Sequence, residues 1–139
     1  MRTFSLPLAL IFALLAIPAV AQKQTDPLSG TWVGDFGPAP YDRNPITLVL
    51  KWDGKSLTGS VSPGTPGTRM YRDFEAFPIE KPSFDFKTGI IKFEANYKPL
   101  NRRYVIEGRL TGTTMSGSWN RPDDTRDGDF KLSRRVGNE

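Results

Sequence analysis

The stretch Gly30-Thr31-Trp32-Val33-Gly34-Asp35-Phe36 decides the fold. Trp32, Gly34 and Phe36 share one face and Thr31, Val33 and Asp35 the other, the period of two of a half-buried strand. Working outward, the same alternation recurs along the chain. Ile46, Leu48, Leu50 and Trp52 alternate with Thr47, Val49 and Lys51, and an Asp53-Gly54-Lys55 hairpin turn leads to Leu57, Gly59 and Val61. Later inward faces are Ile91, Phe93, Ala95 and Tyr97, then Tyr104, Ile106, Gly108 and Leu110. Met115, Gly117 and Trp119 follow, and Phe130, Leu132 and Arg134 come last. Lys87-Thr88-Gly89 and Thr111-Gly112-Thr113 supply further turns.

The segments between are less regular. Residues 37–45 carry three prolines and read as a loop. Residues 62–68 and 120–127 read as loops too. The step from Phe74 to Phe77 breaks the alternation of a strand over 74–79 and suggests a bulge. Residues 83–86 either continue that strand or form another, so the count is eight or nine. No window has a helical period of useful length. Short connections imply antiparallel neighbours in meander order. One-sided apolar strands in a small domain bury their faces and abolish their edges by closing, so the expected fold is an all-β, antiparallel up-and-down barrel of about eight strands. A two-sheet sandwich is the competing architecture.

Residues 1–21 read as a cleaved signal peptide. Arg2 precedes an apolar run over 6–17, Pro18 breaks it, and Ala19-Val20-Ala21 is a small-x-small cleavage site. The run is too short and wrongly flanked to span a bilayer. The expected plan is then a flexible leader at 22–29, the barrel at 30–135 and a tail at 136–139. With no cysteine there is neither a disulfide nor a lipidation site, which fits a periplasmic or extracellular bacterial product. Of 139 residues, 118 follow Ala21, enough for one domain. They hold 18 basic and 15 acidic residues, a net charge of +3. Arg102-Arg103 and Arg134-Arg135 are the only adjacent basic pairs there, and a nucleic-acid binder would concentrate its charge on one face. Solvated strand edges account for these residues.

The chain has no histidine or cysteine, which removes Ser-His-Asp and Cys-His nucleophiles, the usual zinc sites, and haem ligation by those residues. Asp35, Glu94 and Glu107 fall on polar strand faces, so the pattern brings no carboxylate pair to one cleft. Asp123-Asp124-Thr125-Arg126-Asp127-Gly128-Asp129 lacks calcium-loop spacing and reads as a solvated hairpin loop turning at Asp127-Gly128. The expectation is a protein that is not an enzyme, with no metal and no cofactor.

Arg134 is in phase with Phe130 and Leu132, so it points inward on the last strand. A buried guanidinium needs partners, and an aromatic face is one it accepts. In a closed barrel the first strand is its neighbour, which makes Trp32 and Arg134 a candidate plug at one end. A Gly-x-Trp on the first strand with an Arg on the last resembles the calycin superfamily of lipocalins, fatty-acid-binding proteins and avidins. The matching residues are Gly30-Thr31-Trp32 and Arg134. The resemblance implies a barrel of eight or ten strands holding a small, mostly apolar ligand in its lumen. No C-terminal helix is present as in lipocalins, and the first connection is Pro-rich where fatty-acid binders place two helices. The avidin-like layout is nearer, although no biotin contact maps onto this chain.

Inward glycines at 34, 59, 108 and 117 would leave room among large aromatics. The lumen candidates are therefore Trp52, Phe93, Tyr97, Tyr104 and Trp119, holding a small lipophilic molecule. The alternative is a structural or interaction module whose barrel is packed solid and whose binding surface is a loop face, such as 37–45 with Tyr41. The signal peptide makes a direct prediction: mass spectrometry of the exported product finds an N-terminus at Gln22. A product that retains residues 1–21 would refute the export reading.

Overall fold

The computed structural model describes residues 26–135. The signal peptide, its cleavage point, the first part of the leader and the tail at 136–139 lie outside the described residues. The strands are β1 (Gly30–Ala39), β2 (Asp42–Trp52), β3 (Leu57–Pro63), β4 (Phe77–Asp85), β5 (Ile90–Tyr97), β6 (Arg102–Thr111), β7 (Thr114–Arg121) and β8 (Arg126–Arg134). Each pairs antiparallel with the next, and β8 returns to β1. The described chain is thus a closed up-and-down barrel of eight strands, and the sandwich is excluded.

Five segments differ from the sequence expectation. The Pro-rich stretch 37–45 is mostly strand, and the chain turns only at Pro40 and Tyr41. Its prolines are tolerated because the β1–β2 register shifts between Phe36 and Ala39, and because Pro45 sits beyond the last residue paired to β3. The Pro45 carbonyl there accepts from Gly64 N at 2.9 Å. The irregularity near Phe74 is displaced: Phe74 precedes the strand, and β4 is a single strand whose register with β5 shifts between Glu80 and Ser83. Lys81 there has φ 48°, so the bend is local to the Lys81-Pro82 step. An unforeseen short helix, α1 (Arg69–Asp73), lies between β3 and β4, and a single 3-10 turn covers Lys98–Leu100. Five residues are too few to show a helical period. Finally, β7 and β8 run further than expected, so the turn spans 122–125 and Asp127-Gly128 is strand.

The lumen divides into two halves. Around the N-terminal end of β1 it is solid: Trp32, Ile91 and Met115 are 0 % exposed and Leu50 and Leu57 are buried beside them. Trp32 pairs with Arg134 in the β1–β8 ladder, and the guanidinium carbon lies 5.8 Å from the indole centroid. Arg134 also donates to the Ser29 carbonyl, and to the Asp26 carbonyl at 3.2 Å. Trp32 Nε1 donates to the Leu28 carbonyl at 2.8 Å.

The described part of the leader, residues 26–29, takes part in these contacts. Leu28 is 0 % exposed, and Asp26 Oδ1 accepts from the backbone N of Leu28 and Ser29 at 3.0 and 2.9 Å. Burial pushes the Asp26 carboxyl up. The bonds from Ser29 and Leu28 and the charge of Arg134 outweigh it, so its pKa lies below the ordinary value. A polar prefix hid this role, because one leucine carries no period.

The inward glycines are also reassigned. A Cβ at Gly34 would run into the Lys131 carbonyl, and one at Gly117 into the Glu107 carbonyl. At Gly108 it would stand 2.7 Å from the Phe130 ring, which fills the space that Gly108 leaves. These glycines let strands and rings approach closely, as tightly coiled barrels require. They do not hollow the lumen.

One ladder is short. β3 and β4 pair only at Ser60–Pro78 and Val61–Phe77, where β2 and β3 pair at seven positions.

The plug makes a quantitative prediction. Trp32→Ala should cost about 3–5 kcal/mol, as large buried aromatics do. Its double-mutant cycle with Arg134→Ala should show a coupling of about 0.5–3 kcal/mol in denaturant unfolding. Additive losses would mean that the two side chains do not support each other.

Candidate functional site

The other half of the barrel is hollow. A cavity of about 410 Å³ opens at the end opposite the plug. That end is formed by the β1–β2 hairpin, the β3–β4 connection with α1, the Lys98–Leu100 turn and the β7–β8 turn.

One wall is a cluster of aromatic rings. Phe36 meets Trp119 edge-on at 5.7 Å and Tyr104 at 6.2 Å, and Tyr104 lies 5.6 Å from Trp119. Trp119 is held in place by Nε1 donating to the Asp129 carbonyl at 3.1 Å. Across the lumen, Phe77 packs on Tyr97 at 5.6 Å beside Phe93 and Ala95. Leu48, Val61, Phe130 and Leu132 line the deeper part.

The roof comes from α1. Thr68 caps it, its Oγ1 accepting from Tyr71 N. Gly64 has φ 86°, and a Cβ there would meet Tyr71 N at 2.7 Å, so a glycine at this turn lets the helix fold back closely. The buried Thr47 hydroxyl fixes the same turn by donating to the Gly64 carbonyl at 2.8 Å. Met70 and Phe74 thereby reach the cavity while remaining 45 % and 47 % exposed, and Leu100 joins them from the 3-10 turn.

Of the sequence-derived lumen residues, Phe93, Tyr97, Tyr104 and Trp119 come together around this cavity. Trp52 does not. It sits at the plug end, where its ring meets Phe84 at 5.8 Å and its backbone N bonds Ser29 Oγ at 2.8 Å. Phase put Trp52 inside the barrel correctly, but phase does not say which end of the lumen is hollow. Met70 and Phe74 were missed because the roof is irregular chain; Phe36 shares the inward face of the first strand with Trp32 and Gly34, and that phase is the signal that could have found it. Arg102, read as a solvated edge, lines the cavity at its mouth. It is in phase with Tyr104 and Ile106, which is the signal that could have found it. Its neighbour Arg103 faces outward and donates to Glu94 at 2.5 Å. That bond, with Lys81 nearby, holds the Glu94 carboxyl below its usual range against the opposing effect of burial.

A second inward arginine, Arg121, is 6 % exposed and lies 5.7 Å from the Tyr104 ring centroid. It donates to both carboxylate oxygens of Asp124, and to Tyr104 Oη at 3.4 Å. Asp124 is thereby committed to Arg121, while Asp129 accepts from Arg43 at 2.5 Å and Arg43 also holds Asp35. Among the described residues, no three His, Cys, Asp or Glu side chains gather into a metal-binding group.

Fold and site together define a class: a closed antiparallel barrel with one plugged end and one open, aromatic cavity. The chain matches no known protein-family model and no curated protein. Among solved structures, it is similar to a crystal structure of a mutant of the fluorescent protein UnaG, with a TM-score of 0.43 and 12 % identity, covering 80 % of this chain and 98 % of that one.

Partial desolvation pushes the Asp124 carboxyl up, but the hydrogen bond and charge of Arg121, with help from Arg126, set its pKa below the unfolded value of 3.8. A depressed carboxyl contributes stability that is present above pH 3.8 and lost as pH falls through the folded-state value. Asp124→Asn should therefore lower the melting temperature by a few degrees at pH 7. That difference should shrink as the pH is taken below 3.8. A pH-independent difference would refute the ion-pair account.

Proposed function

We propose that this chain is an exported, non-catalytic barrel of calycin type that carries a small apolar or amphipathic molecule in its lumen. The observation behind the reading is the 410 Å³ cavity, of a size and apolar, aromatic lining that suit a small molecule. Ligand sites of this kind place a few polar groups among apolar walls, and Tyr97 and Tyr104 are such groups here. Export rests on the signal peptide in the sequence. The absence of catalysis rests on the lack of histidine and cysteine and on the pairing of the mouth carboxylates with arginines. A barrel packed solid is at odds with the hollow half. Tyr41, at the tip of the β1–β2 hairpin and 93 % exposed, keeps a protein-contact role open beside the lumen.

Ala95 tests the reading. It is 2 % exposed and faces the cavity, so Ala95→Leu adds bulk where the ligand would sit. The wild-type chain should bind the neutral fluorophore Nile red with a blue-shifted emission, and Ala95→Leu should weaken that binding about tenfold or more without unfolding the barrel. Unchanged binding in the variant would place the probe elsewhere. No binding in either protein would overturn the carrier reading.

A further inference from the structure

The plugged end carries a surface that neither the closure nor the cavity uses. Trp52 ends β2, Phe84 lies near the end of β4, and Phe86 follows in the same phase just past that strand. The three rings form a row. Trp52 meets Phe84 at 5.8 Å and 76°, and Phe84 meets Phe86 at 6.3 Å and 82°. Trp52 and Phe84 are half-buried against the core, while Phe86 is 56 % exposed. Trp52 also differs from the other two tryptophans. Trp32 and Trp119 donate from Nε1 to backbone carbonyls. Trp52 Nε1 has no hydrogen-bond partner among the described residues, and it is not buried. An indole with an apolar body and a wet N–H is the form tryptophan takes at a bilayer interface.

Exposed lysines flank the row. Lys51 precedes Trp52, Lys55 stands in the β2–β3 turn and Lys87 in the β4–β5 turn. Their ammonium groups have no partner among the described residues. The carboxylates of the same two turns are engaged by their own backbone. Asp53 accepts from the N of Lys55 and Ser56 at 2.8 and 2.6 Å, and Asp85 from Lys87 N at 2.9 Å. We infer that the plugged end docks on a bilayer surface bearing anionic head groups. Trp52 and Phe86 enter the head-group layer, and Lys51, Lys55 and Lys87 meet lipid phosphates. The barrel then stands with its open mouth toward water. This does not depend on what the lumen holds. Rings crossed at 76° and 82° make a wedge, not the flat platform on which a sugar ring stacks. In a two-fold dimer the patch would face itself and set lysines against lysines.

Co-sedimentation of the purified chain with vesicles tests the docking. Vesicles containing phosphatidylglycerol should bind it about tenfold or more tightly than pure phosphatidylcholine, since each lysine near an anionic surface adds about fivefold. Phe86→Ser, at an exposed position past the strand end, should weaken binding about tenfold without changing the melting temperature. Lys55→Glu with Lys87→Glu should abolish the preference for phosphatidylglycerol. Lys92→Glu with Lys131→Glu makes the same change of net charge on the outer wall and should keep it. Acyl-brominated lipid should quench the tryptophan emission, and Trp52→Phe should remove most of that quenching. No binding to either vesicle, equal binding to both, or a preference that survives the Lys55 and Lys87 reversal would overturn the inference. So would loss of binding with Phe74→Ser in place of Phe86→Ser, which would put the contact at the mouth. Self-association in sedimentation velocity that Phe86→Ser abolishes would assign the patch to a second copy and overturn it too.

Discussion

The barrel depends on closure between its first and last strands, and closure depends on Trp32 and Arg134. An up-and-down meander of one-sided strands leaves two free edges, and joining them removes both. The β1–β8 ladder supplies the backbone bonds for this, while the plug makes it specific. Arg134 is held on one side by an indole face and on another by the carbonyls of Asp26 and Ser29. Its charge thus sits among acceptors within an apolar end. The acceptors come from a segment before the first strand, whose shape Asp26 sets by accepting from Leu28 and Ser29. The chemistry of a single guanidinium therefore orders two ends of the described chain at once.

Closure also explains why the lumen is uneven. One end is filled by Leu28, Trp32, Leu50 and Met115, and a second set of aromatics lines the other half. Phe36, Tyr104 and Trp119 meet edge-on or tilted on one wall. Phe77 and Tyr97 do so on another. Each wall is satisfied within itself, and the space between them is left open. The glycines reinforce the walls, because Gly108 seats Phe130 and Gly117 draws β7 against β6.

Much of this was legible in the residues. Period-two alternation in Ile91 to Tyr97 and Tyr104 to Leu110 marks strands, and the inward phase of Trp32 and Arg134 brings them to facing positions. What escaped was of another kind. Pro38, Pro40 and Pro45 punctuate a sequence as a loop, yet a bulge and a strand end accommodate them, and those depend on the partner strand. Met70 and Phe74 belong to a connection with no period, placed by the glycine turn at Gly64. Trp52 has the correct phase but the wrong height, and height along a barrel axis depends on tilt and register, which the alternation does not encode. Arg102 was read by its charge when its phase was the better guide.

The two-pair junction between β3 and β4 has a kinetic meaning. In a ring every ladder but one must remain for the remainder to stay a sheet, so the ladder with the fewest bonds sets the lowest local opening energy. Parting there turns the ring into an open sheet while leaving the plug, seated between β1 and β8, untouched. Amides of β3 and β4 facing that junction then exchange with solvent sooner than those of β1 and β8. The barrel accordingly has two unlike seams: one fixed by the plug, and, three ladders around the ring from it, one joined by two residue pairs alone.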